Sequence, residues 1–155
     1  MLVVFVALLA VCGVVAYLGG PTSAEPPKVA FEMDAPKRAF LREPTTLEVR
    51  VSNVGAGAIR DLGVKINRGY ANVFTVIDMR PRATIDDAST EKRFYFGQLA
   101  PGASQTYRIT FSPQRTGDFN LTLRVVGVQR AGPIPLTDAT TGAAELNATT
   151  TVVER

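Results

Sequence analysis

The chain has 155 residues, with 17 Lys and Arg set against 14 Asp and Glu, one Cys and no His. Its basic residues are interspersed with acidic ones and the net charge is only +3, which describes a solvated surface and not a nucleic-acid patch. Lacking the commonest general base and the usual ligands of zinc, copper and haem iron, the sequence argues against His-based catalysis and transition-metal chemistry.

Residues 2–20 carry no charged side chain, and the run LVVFVALLAVCGVVAYLGG is long enough to span a bilayer as a helix. A secretory signal would start with basic residues and have a shorter apolar stretch. Residues 1–20 are therefore expected to be a retained transmembrane anchor. The alternatives are a cleaved signal, with Thr22-Ser23-Ala24 before Glu25 as the cleavage site, and a lipoprotein signal at Cys12, which would want a small residue where Val11 stands. Cys12, Ala16 and Gly20 recur every four residues with Gly13 beside them, and such small side chains let membrane helices approach closely. These four form a candidate helix-packing face. Pro21, Pro26 and Pro27 make residues 21–28 a stiff tether. Lys28, Lys37, Arg38 and Arg42 would by charge favour a cytoplasmic domain, but long domains translocate largely regardless of charge. The expectation is a single-pass protein of the cell membrane with its domain on the extracytoplasmic side.

From residue 29 onward the repeated signal is alternation with period two. Val29 to Met33 opens the domain. Leu47, Val49 and Val51 form an inward row on a strand from Thr45 to Asn53, with Glu48 and Arg50 facing out. Weaker strands follow at Leu62 to Ile66, Val73 to Ile77 and Arg93 to Phe96. Tyr107, Ile109 and Phe111 give a second clear row, and Phe119, Leu121, Leu123 and Val125 a third. Thr149 to Val153 closes the chain. Turns are expected at Asn53 to Gly57, where Gly55 and Gly57 would supply positive φ, and at Pro101-Gly102. Seven or eight short strands with regular punctuation predict an antiparallel β-sandwich over residues 29–155.

Met79 to Lys92 and Arg130 to Leu146 show no such pattern and read as long loops. Asp86, Asp87 and Glu91 in the first could bind calcium through carboxylate oxygens, but their spacing matches no calcium loop, and a solvated acidic loop is the expectation. Asn120-Leu121-Thr122 and Asn147-Ala148-Thr149 are glycosylation sequons, the first on the polar face of a strand and the second in a loop.

TLEVRVSNVGAGAIRDLGVKI, FGQLAPGASQTYRITFSP and RTGDFNLTLRVV together resemble the immunoglobulin-like repeats of bacterial and archaeal surface proteins, closest in style to the cell-adhesion-related bacterial domain. The shared pattern is Asn-x-Gly at Asn53-Val54-Gly55 and Leu-x-Pro-Gly at Leu99-Ala100-Pro101-Gly102. It covers about residues 45–126 and implies an immunoglobulin-like fold, not a function. An anchor before such a domain is also similar to the copper-delivery assembly factor of cytochrome oxidase. That family holds copper through paired cysteines, which this chain lacks.

The functional expectation is a non-catalytic accessory subunit of a larger membrane complex, with respiratory and photosynthetic assemblies as plausible hosts. Its partners would be integral membrane proteins, met through the anchor and the long loops, and it would use no cofactor, nucleic acid or small-molecule substrate. The rival is a surface adhesion or glycan-binding module, which an exposed aromatic platform would favour.

Overall fold

Alternating apolar residues give each long strand one face that must leave water, and two sheets packed together remove both sets at once. The structure is a computed structural model, and it describes residues 27–129 and 132–155. In chain order the elements are β1 (Val29–Asp34), β2 (Arg38–Phe40), β3 (Thr45–Asn53), β4 (Ile59–Asn67), α1 (Arg68–Ala71), β5 (Phe74–Arg80), β6 (Thr84–Asp87), β7 (Glu91–Leu99), β8 (Ser104–Pro113), β9 (Gly117–Gln129), β10 (Gly132–Pro135) and β11 (Leu146–Val153). One sheet runs β1-β3-β8-β5, and the other β2-β11-β9-β4-β7-β6, with β10 also paired to β9. Every strand pairing is antiparallel except β2 on β11. This is the expected immunoglobulin-like sandwich. The apolar run 1–20, with Cys12, Gly13, Ala16 and Gly20, lies outside the described residues, among which no helix is long and apolar enough to cross a membrane.

The three clear rows point inward as read. Leu47, Val49, Val51, Ile109, Phe111, Leu121 and Leu123 are all fully buried, with Phe119 half-buried at the end of its row. The largest side chains gather around the helical turn α1. Tyr70 stacks on Phe74 with ring centroids 4.0 Å apart, and both meet the edge of Phe111 at 6.1 Å. The Tyr70 hydroxyl lies 3.1 Å from Thr150 Oγ1, which itself donates to the Pro36 carbonyl at 2.7 Å. A hydroxyl has one proton, so Tyr70 is the donor to Thr150. Burial raises the Tyr70 pKa, against the smaller opposing effect of Thr150, and keeps the phenol neutral.

Four expectations need correction. Among the described residues eleven strands replace seven or eight, because β2, β6 and β10, of three or four residues each, are too short to show an alternating row. The segment from Met79 to Lys92 is not one loop: β5 runs on to Arg80, and β6 pairs with β7 from Thr84 to Asp87. All four β6 residues are exposed, so nothing in their hydropathy alternates. Within the segment from Arg130 to Leu146, Gly132–Pro135 form a strand, and Asn147 lies in β11, not in a loop. Finally, neither Gly55 nor Gly57 has positive φ, whereas Gly102 does, at 71°. At Gly55 the constraint is space, since a Cβ there would come within 3.2 Å of the Lys28 backbone nitrogen.

Strands β10 and β11 form one interrupted edge. Val126 pairs with Gly63 on one side and Pro135 on the other, and Leu123 likewise with Ile66 and Leu146. Both late strands therefore lie on the same flank of β9, and residues 137–145 leave it between them. That excursion crosses to the opposite sheet, where the Ala139 N–H donates to the Val29 carbonyl at 2.7 Å. It acts as a clasp between the two sheets.

Candidate interaction surfaces

Cross-strand pairing determines what the polar faces of this sandwich can offer. On the outer face of the larger sheet, Asp86 sits opposite Arg93, Arg93 opposite Lys65, and Lys65 opposite Arg124, giving one lateral row over four strands. Acids interleave with this row. Glu91 Oε1 lies 2.9 Å from Lys65 Nζ and 2.8 Å from Arg93, Asp86 pairs with Arg93 at 3.1 Å, and Glu145 pairs with Arg124. The side chains of Lys65 and Glu91 are only 15% and 17% exposed, so that pair is screened less than its neighbours. Burial would push the Glu91 pKa up, but the hydrogen bonds and charges of Lys65 and Arg93 outweigh it and hold the carboxyl below its ordinary value.

The acids read as a cation candidate are thus consumed. Asp86 and Glu91 both face Arg93, while Asp87 meets Arg68 at 3.0 Å and Lys92 at 3.4 Å. The hydrogen bonds hold β6 and β7 in register, and each acid has a protein cation where a metal ion would need it. Among the described residues no group of three or more His, Cys, Asp or Glu could hold a metal ion. Beside the row lies an open groove of about 370 Å³, lined in part by Lys65, Asn67, Glu91, Thr122, Arg124 and Glu145. Asn67 bridges β4 to β9 there, accepting from the Thr122 N–H at 2.8 Å and donating to the Asn120 carbonyl at 3.0 Å.

The two sequons meet each other. Asn147 stands opposite Thr122 and Thr149 opposite Asn120. Thr122 Oγ1 donates to Asn147 Oδ1 and Thr149 Oγ1 to Asn120 Oδ1, each at 2.9 Å. One pair further along, Thr151 Oγ1 donates to Asp118 Oδ1 at 2.7 Å. This polar ladder is how two exposed strand faces stabilise their register, and it gives both sequons a structural part. Tyr95 and Phe40 are aromatics on this face, and Phe40 is covered by the Arg38 and Arg155 guanidinium groups, 5.5 and 5.9 Å from its ring centre. Tyr95 lies opposite Gly63, and a Cβ at Gly63 would come within 2.8 Å of the Tyr95 ring, so only glycine admits the ring there.

Among the described residues Asp138 is the buried acid, and no sequence pattern singled it out. It is 4% exposed, and its carboxylate accepts from the Phe31 N–H at 2.7 Å, the Thr140 N–H at 2.8 Å, the Thr141 N–H at 2.6 Å and the Thr141 hydroxyl at 3.0 Å. Burial alone would raise its pKa, but these four donors favour the charged form more strongly and hold the pKa below the ordinary value. The Asp-Ala-Thr-Thr run was a readable turn signal. Its target, a β1 amide 107 residues away, was not. Asp138 therefore fastens the clasp and closes the upper edge of β1.

No protein-family model matches the chain, and no curated protein sequence matches it. Solved structures share its fold. The CARDB domain of a Pyrococcus furiosus protein, determined in solution, superimposes with a TM-score of 0.54 at 13% identity, over 83% of this chain and 97% of that domain. A crystal structure of the same domain, in complex with di-metal ions, gives 0.53 at 15% identity, over 83% and 96%. A cohesin module from a family 33 glycoside hydrolase of Clostridium perfringens gives 0.52 at 8% identity, over 83% and 99%. The resemblance read from Asn53-Val54-Gly55 and Leu99-Ala100-Pro101-Gly102 is thus a true likeness of fold.

Proposed function

We propose that the chain is a non-catalytic interaction module, held to the membrane by residues 1–20 and acting as an extracytoplasmic accessory subunit of a larger membrane assembly. The observation that carries this reading is the use of its polar groups. Asp86, Asp87, Glu91 and Asp138, the acids best placed to serve a reaction or a ligand, are each bound to cations or backbone amides of the fold itself. Acids engaged in this way hold the fold together and leave none of these four free to act on a substrate. The shared fold of a CARDB domain and a cohesin module fits the same reading. Extraction of the chain from membranes in mild detergent tests it. A stable complex with integral membrane proteins, and a chain that begins at Met1 by mass spectrometry, are the expected results. A chain that begins at Glu25 and elutes alone would remove the basis of the proposal.

One observation favours a second reading, a glycan-binding module. Tyr95 rests on Gly63 on the same sheet face as the polar groove at Asn67 and Thr122, and binding sites combine aromatic surface with a few polar groups. Binding of the purified chain to a glycan array, lost on Tyr95→Ala, would decide for it.

A further inference from the structure

Asn120-Leu121-Thr122 and Asn147-Ala148-Thr149 face each other across β9 and β11, and the fold uses only half of each asparagine side chain. Thr149 donates to Asn120 Oδ1 and Thr122 to Asn147 Oδ1, while neither Nδ2 has a hydrogen-bond partner among the described residues. The next rung of the same ladder does this work with a carboxylate, since Thr151 donates to Asp118 Oδ1 at 2.7 Å. The ladder therefore needs an acceptor oxygen at these positions and not an amide nitrogen. An asparagine nitrogen carries two N–H groups, and at exposed Asn120 and Asn147 they are left to solvent.

The surroundings leave room for a large group. β2 pairs with β11 only from Thr151 to Val153, so no strand pairs with β11 beside Asn147 and Thr149 on that flank. The nearest outward positions at Asp118, Thr122, Thr149 and Thr151 carry short side chains, and the longer Arg124 and Glu145 are paired with each other. Leu121 is fully buried between Asn120 and Thr122, so no enzyme can lift that sequon from the folded sheet without opening the core. A transfer to Asn120 thus belongs to the chain before the sandwich closes. The closed ladder tolerates it, because a sugar on Nδ2 replaces one hydrogen and leaves Oδ1 to accept from threonine.

We propose that Asn120 and Asn147 are both sites of N-linked glycosylation, for which Asn-x-Thr is the acceptor pattern. Nδ2 attacks the anomeric carbon of an oligosaccharide carried on a lipid diphosphate. The C–N bond forms as the bond from that carbon to the diphosphate oxygen breaks, the proton lost by nitrogen passes to a base of the transferring enzyme, and the lipid diphosphate leaves. The proposal rests on the extracytoplasmic placement above, where the domain meets such a donor. The two glycans would start roughly 7–8 Å apart, the spacing of diagonal neighbours. Being bulky and hydrophilic, they would close the outer face of β9 and β11 to a protein partner.

Intact-mass spectrometry of the full-length chain, extracted in mild detergent from the membranes where it is made, tests this. The polypeptide mass should be raised by two sugar increments, placed at Asn120 and Asn147 by peptide sequencing. Asn120→Asp and Asn147→Asp each keep an acceptor oxygen and remove the acceptor nitrogen, so each should lose one increment and the double variant should have the bare mass. Thermal unfolding followed by circular dichroism checks that the variants fold. Either asparagine found bare in the wild type overturns its assignment. Sugar that persists in the double variant also overturns the proposal, since it would then lie on serine or threonine hydroxyls. A bare chain that elutes with integral membrane proteins overturns the glycan sites alone, and a glycosylated chain that elutes by itself overturns the accessory-subunit reading alone.

Discussion

The side-chain amide of Asn53 donates to the backbone carbonyl of Leu99 at 3.2 Å, tying the end of β3 in one sheet to the end of β7 in the other. The same nitrogen donates to the Gly57 carbonyl at 2.8 Å, and Asn53 Oδ1 accepts the Gly55 N–H at 3.1 Å. Around it the backbone closes a second link, since the Asn53 N–H donates to the Ala103 carbonyl and the Gly102 N–H to the Asn53 carbonyl, both at 2.9 Å. The Asn-x-Gly and Leu-x-Pro-Gly turns, far apart in the chain, are thus one hydrogen-bonded unit with Asn53 at its centre.

Asn53 is 1% exposed, so its replacement leaves the buried Leu99 carbonyl with nothing to take its place. Asn53→Ala should destabilise the chain by about 2–3 kcal/mol, the cost of orphaning carbonyl and amide groups away from water. Urea unfolding of wild type and variant measures this. A loss within error of zero would mean that water reaches the Leu99 carbonyl after all.

Phe111 tests the centre of the core. It is fully buried, touches the rings of Tyr70 and Phe74 edge-on, and sits opposite Thr45 in the register of β3 and β8. Phe111→Ala removes those contacts and leaves a cavity between the sheets, at an expected cost of about 3–5 kcal/mol by denaturant unfolding.

How much of this could be read from sequence depends on where each element finds its partner. β3 and β8 were legible because Leu47, Val49, Val51, Ile109 and Phe111 bury one face each and leave the other wet. β4 was read from Leu62, although it starts at Ile59. A bulge with Asp61 at φ 46° places two exposed residues between buried Ile59 and Leu62, where strict alternation allows one. β6 was illegible because its stability comes from Asp86 and Asp87 facing Arg93 and Lys92, and charge pairing leaves no apolar period. The Asn53 turn showed itself as a turn, but its acceptor at Leu99 lies 46 residues away. Local pattern specifies strands and turns. The ties between sheets depend on long-range partners that no local pattern names.

Asp138 should give the fold part of its acid sensitivity. Its folded pKa lies below the unfolded value of about 3.9. A depressed carboxylate contributes stability that is present above the unfolded pKa and is lost as pH falls through the folded one. Glu91 is shifted in the same direction and contributes with the same sign. Asp138→Asn keeps the shape but turns an amide N–H₂ toward donors, so it should be less stable than wild type at neutral pH. The difference should narrow below pH about 4, where wild type begins to lose its own carboxylate contacts. Thermal unfolding of both proteins over an acid pH series gives the comparison, and a constant difference across the series would show that Asp138 is not ionised in the fold.

The last prediction concerns Gly63 and Tyr95, which face each other across β4 and β7. A Cβ on Gly63 would lie 2.8 Å from Tyr95 Cδ1 and 3.1 Å from the Phe94 carbonyl oxygen. The first contact can yield if the ring lifts toward solvent. The second is backbone within the ladder and can give only by moving β7. Gly63→Ala should therefore cost about 1–3 kcal/mol, in the range of other overpacked sites. Tyr95→Ala removes the nearer obstacle, so Gly63→Ala should be less damaging when added to it than when added to wild type. Non-additivity of this kind is the signature of residues in direct contact. A double-mutant cycle by urea unfolding measures it. Strict additivity would place the whole strain on the Phe94 carbonyl and would mean that Tyr95 does not rest on Gly63, which would also withdraw the aromatic platform from the glycan-binding alternative.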